Sequence, residues 1–183
     1  FPSLVPSVPA HYHRLLDGGV LRLGGREWRC ISGYGHAPEH MALHCESLNV
    51  LIGGDMMLPR ISTNISVFAG EPEADPLKLF LTSLKRFDSL ADSTLVLPSH
   101  GKPFVGLAER LQQLHAHHQD HLAVARSACT EKAQSAGELL PQLFRRELDT
   151  QQLSFALGEA LAHLHLLWHE GVVNRVCEPD GVY

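Results

Sequence analysis

The run LIGGDMML, residues 51–58, decides how the rest of this 183-residue chain is read. Its apolar start has the composition of a buried strand, and Asp55 follows directly after two glycines. A carboxylate at such a point is costly to desolvate unless a cation or hydrogen-bond donors receive it. Two other strand-like runs end in the same manner. GYGHAPEH, residues 33–40, presents His36 after a strand and a glycine, and LPSHG, residues 97–101, presents His100 on the loop that leaves a buried strand. Two imidazoles and a carboxylate are ligand types suited to zinc, manganese or iron. Taken singly, each residue has a plainer reading, as a histidine satisfied by hydrogen bonds or an aspartate capping a turn. The three stand too far apart in sequence for a local metal finger, so only the fold can bring them together.

Working outward, residues 20–58 alternate short β-rich runs (VLRL, REWRCISG, HMALHCES, NVLIGGDMML) with turn residues, which predicts a mostly antiparallel sheet. Residues 75–87 place Leu77, Phe80, Leu81 and Leu84 on one helical face behind an Asp75-Pro76 start signal. STLVLPSHG then reads as one more buried strand. From Leu107 the pattern turns helical, with helices expected over 107–129, 136–146 and 150–170, the first continuous with the preceding domain. Gly171 stops the last helix, and VVNRVCEPDGVY predicts a hairpin around Glu178-Pro179-Asp180-Gly181. This divides the chain into an α/β layered part, residues 1–106, and a helical part of winged-helix-like order, residues 107–183.

In order, GHAPEH, GGD and LPSHG resemble the third, fourth and fifth metal motifs of the metallo-β-lactamase superfamily. The resemblance covers roughly residues 20–105 and implies half of an αββα sandwich. It further implies His36 as terminal ligand of one metal, Asp55 as the bridging carboxylate and His100 as ligand of the second. Two divalent metals would follow, zinc first with manganese or iron as alternatives, generating a hydroxide that cleaves an ester, thioester, lactone or related bond. Residues beyond 107 are similar to the C-terminal winged-helix extension of some superfamily members. An RNA-cleaving nuclease of the same fold, or a non-catalytic dimerisation module, are the alternative functions.

The superfamily's H-x-H-x-D-H motif is absent. His11 and His13 have an H-x-H look, but Arg14 and Leu15 follow, and both histidines read as loop residues. With the initial Phe1 this reads as a fragment, expected to bind metal weakly or not at all, to be inactive alone, and to self-associate as a homo-oligomer. His40 is expected beside the site rather than on the metal, because Ala37-Pro38 disfavours helix there. Arg60, Thr63 and Asn64 are candidates to reach substrate or a metal-bound water, the alternative being that Ser62, Thr63 and Asn64 simply supply turn hydrogen bonds. His115, His118 and His121, with His117 and Asp120 nearby, lie on one helix and are read as a solvated face rather than a cation site. His165 and His169 lie in an apolar stripe with Leu161, Leu164 and Trp168 and read as core or partner-facing. Ser99, beside His100, lacks the G-x-S-x-G elbow of a serine hydrolase.

Composition narrows the partners. The formal charge of −5, and ten acidic against six basic residues beyond position 106, argue against nucleic acid; only Arg145, Arg146 and Arg175 offer a local cluster. No targeting segment or membrane span is evident, and Cys30, Cys45, Cys129 and Cys177 fit reduced thiols. The expectation is a cytoplasmic protein whose complete form takes a small-molecule substrate.

Overall fold

A computed structural model describes Val5 and residues 7–177. Five strands form one sheet in the order β1-β2-β3-β4-β5: β1 Val20–Leu23, β2 Arg26–Gly33, β3 His40–Cys45, β4 Val50–Gly54 and β5 Leu95–Pro98. The first four pair antiparallel and β5 lies parallel to β4, which requires a crossover. The crossover carries α1, Pro76–Leu84, whose first turn is held by Asp75 accepting from the Lys78 amide, with Pro76 at a position that needs no donor. Three helices follow: α2 Leu107–Glu131, α3 Ala136–Leu143 and α4 Thr150–His169. Ser135 and Glu138 close a reciprocal cap on α3, and Asp149 caps α4.

The two faces of the sheet differ. Ile31, Ala42, Leu51 and Val96 are buried in a cluster with Leu77, Phe80 and Leu84 of α1, and the same cluster continues through Leu111 and Leu114 of α2 into Leu166 and Leu167 of α4. On the opposite face Cys30, Leu43, Ile52 and Leu97 are paired in register across four strands. Ile52 remains 40% exposed there. The mixed α/β architecture expected from the sequence is present, and α2 is one unbroken helix. No strand follows α4 through Cys177. The expected turn at residues 178–181 lies outside the described residues.

Candidate metal centre

Because β3 runs antiparallel to both β2 and β4, while β5 parallels β4, the C-terminal ends of β2, β4 and β5 share one rim of the sheet. His36, Asp55 and His100 follow those three ends, and β3 begins at the same rim with His40. Residues far apart in sequence therefore meet through strand direction alone. Asp55 lies between the imidazoles: its Oδ2 is 3.6 Å from His36 Nε2 and its Oδ1 is 3.5 Å from His100 Nε2. Gly54, at φ +54°, lacks the Cβ that would collide with the His40 ring, so that ring reaches under the turn and its Nε2 accepts the Asp55 amide at 3.2 Å. Burial, and next the neighbouring His36, push the His40 pKa down, which keeps the ring neutral as that bond requires. The Ser99 amide donates to the Gly54 carbonyl at 3.1 Å and ties the His100 loop to the Asp55 turn.

His36 is oriented from behind. Its Nδ1 donates to the Asn64 carbonyl at 2.8 Å and lies 3.1 Å from Thr63 Oγ1. A carbonyl only accepts, so the proton of a neutral ring sits on Nδ1 and Nε2 turns a lone pair towards Asp55. Lone pair facing carboxylate is unfavourable without a cation between them. Two donors each about 2.1 Å from one ion at a near-tetrahedral angle stand about 3.4 Å apart. The spacings on both sides of Asp55 match this, so the donor set fits a divalent cation at either oxygen.

The remaining sequence candidates divide. Thr63 is buried against His36, whereas Asn64 acts through its main chain and its side-chain oxygen accepts from Ser66. Arg60 is exposed and has no hydrogen bond or ion pair among the described residues. His11 and His13 lie exposed outside regular structure, as expected of loop residues. His165 is buried and bonded to the Ala74 carbonyl, while His169 is exposed and bonded to that of Glu73.

Two features were missed. Arg110 is 7% exposed, and its guanidinium donates to the Leu58 carbonyl at 2.7 Å and the Ile61 carbonyl at 2.8 Å, anchoring the segment after Asp55. Its signal was its place between Leu107, Leu111 and Leu114 on the apolar face of α2. The second is a correction: the α2 histidines are not all on a solvated face, since His118 and His121 turn inward while Asp120 is exposed and the His117 side chain is 39% exposed. His118 is 0% exposed and His121 is largely covered, because α4 lies across them; His118 falls four residues after Leu114 and four before Leu122, on the same buried stripe. The Ser62 hydroxyl lies 2.9 Å from His118 Nε2, joining this interior to the loop that holds His36.

Comparison with known proteins bears on the family and the fold. The family described as metallo-beta-lactamase-like, C-terminal domain, matches residues 122–183. A Bacillus subtilis (strain 168) protein named "Probable metallo-hydrolase YqjP" is 28% identical over 159 residues, 85% of this chain and 49% of its own length. The crystal structure of a beta-lactamase domain protein from Burkholderia ambifaria is 57% identical with a TM-score of 0.95, covering 99% of this chain and 54% of that one. A metallo-beta-lactamase family protein from Thermus thermophilus is 35% identical with a TM-score of 0.79, covering 92% and 52%. The chain spans about half the length of each of these relatives. On the ordered motifs, the sheet that assembles them and these likenesses together, the chain belongs to the metallo-β-lactamase superfamily.

Proposed function

We propose that His36, Asp55 and His100 are metal ligands of a hydrolytic centre for a small-molecule ester, thioester, lactone or related substrate, with zinc the first candidate metal. The observation that carries this reading is the Asp55 carboxylate, each oxygen facing a different imidazole at the spacing two ligands of one ion would have. Bound there, divalent cations supply Lewis acidity to a carbonyl or phosphoryl oxygen and lower the pKa of water. The chain's own part is positional. The Asn64 carbonyl holds the His36 proton on Nδ1, His40 fixes the Asp55 turn, and Arg110 secures the loop between them. Thr63, buried beside His36, acts through that ring rather than on substrate, and exposed Arg60 remains available to a substrate anion.

Three ligand-type side chains are too few for two closed coordination spheres, so at this rim the 183 residues by themselves bind metal weakly, and they turn nothing over. The test compares zinc content and aryl-ester and thioester hydrolysis between this polypeptide and a longer one carrying additional upstream sequence. The longer form should hold about two metals more than this polypeptide and hydrolyse, and Asp55→Asn within it should remove both the added metal and the activity. Full activity in that variant would sink the assignment.

A further inference from the structure

We propose that His117, His121 and Glu159 form a second cation site, half-buried between α2 and α4, that takes one divalent ion of the zinc class. The site does not depend on the hydrolytic reading, since it shares no ligand with the centre at the sheet rim.

His117 and His121 lie one helical turn apart on α2 and point at the same atom of α4. Glu159 Oε1 is 3.4 Å from His117 Nε2 and 3.5 Å from His121 Nδ1. These are again the separations of donors sharing one ion at a near-tetrahedral angle, about 3.4 Å. Glu159 is largely buried, with its side chain 15% exposed, and no Lys or Arg pairs with it among the described residues. A buried carboxylate needs compensating charge, and imidazoles alone face this one. His121 Nδ1 is buried without a hydrogen-bond partner, aimed at the carboxylate.

His118 and His163 complete the walls. The His163 Nδ1 donates to the Glu159 carbonyl at 2.7 Å, which leaves Nε2 as an acceptor; it takes the His118 Nδ1 proton at 3.2 Å, while His118 Nε2 accepts from Ser62. That chain of bonds is complete with both rings neutral. Burial, the largest influence on each, pushes the His118 pKa down to about 3 and the His163 pKa down to about 4. The pair is satisfied without metal, and His163 stands near enough to Glu159 to supply a fourth donor on rearrangement. Two imidazoles and one carboxylate select a borderline ion over magnesium or calcium, which prefer oxygen shells.

The experiment is equilibrium dialysis of the 183-residue protein with zinc, beside a His36→Ala/Asp55→Asn/His100→Ala variant that removes the rim centre. That variant should keep one zinc per chain. Adding Glu159→Gln, which preserves shape, should weaken binding at least about 100-fold, the upper end of losses seen for outer-shell partners. His117→Ala/His121→Ala should abolish it, with circular dichroism confirming the helices. If the helix variants fail to fold, cobalt loaded into the rim-deleted protein decides instead: two shifted imidazole N–H resonances assigned to His117 and His121 are expected. A folded rim-deleted variant that binds no zinc, or full affinity in Glu159→Gln, would overturn the proposal.

Discussion

His36 shows how one carbonyl sets a side chain's chemistry. With Asn64 accepting from Nδ1, the neutral ring is held as a single tautomer whose Nε2 is free to ligate. Long-range proton–nitrogen NMR on the metal-free chain should find the Nδ1–H form of His36, and Thr63→Val should leave it in place because the carbonyl remains. A predominant Nε2–H form would contradict the orientation. At this scale the sequence was informative where residues end strands and silent where they act through main chain. Asp55 after two glycines announced itself, whereas the Asn64 carbonyl is a property every residue has, and only its position matters. Arg110 was readable in principle, as a cation interrupting an apolar stripe.

α4 meets the loop that follows Asp55 at Gly158. A Cβ there would run into the Ser66 side chain, so the smallest residue sets how closely the helix lies on the loop. Gly→Ala inside a helix ordinarily stabilises by about 1 kcal/mol. Here Gly158→Ala should destabilise, by about 1–3 kcal/mol in urea unfolding, as overpacking does. The buried α2–α4 histidines add a pH signature. His118 faces Ser62, His117, His121, His163 and Glu159, and His163 shares most of those neighbours. Both pKa values lie below the ordinary histidine range, so the unfolded chain takes up protons first as pH falls. Stability of the metal-free chain is then complete above about pH 6.5 and declines towards pH 4, by up to about 1.4 kcal/mol per pH unit for each group. Melting temperatures that rose over that descent would refute neutral burial. Helix boundaries were legible from apolar spacing, yet the same spacing that marked Leu114 and Leu122 as buried also marked His118. Residue type outweighed position in the sequence reading, and position prevailed.

For the molecule as a whole, the row Cys30, Leu43, Ile52, Leu97 crosses the sheet opposite the helices. It is the face on which a sandwich would carry its second sheet, and its partial exposure motivates self-association of the 183-residue chain. Sedimentation velocity should show concentration-dependent dimers or larger species, and Leu43→Gln/Ile52→Thr should shift them to monomer. A wild-type monomer at all concentrations would argue against this. The ordered motifs made the architecture legible, while the packing of α4 over the histidine-bearing stretch of α2 depends on long-range contacts that no local pattern encodes. Among the described residues, no helix is long and apolar enough to cross a membrane.

The rims of the sheet bear on how such association would end. Val96 and Phe104 exchange two backbone hydrogen bonds, at 2.8 and 3.1 Å, so the chain's own return segment occupies part of the outer ladder of β5. The opposite rim is β1, four residues long, with Arg22 paired to Glu27 across the hairpin. Short, charged or covered edges give little template for strand-by-strand growth. Sticking through a face while the edges are blocked yields closed, finite particles, which is the difference between a protein that forms reversible oligomers in concentrated solution and one that seeds fibrils.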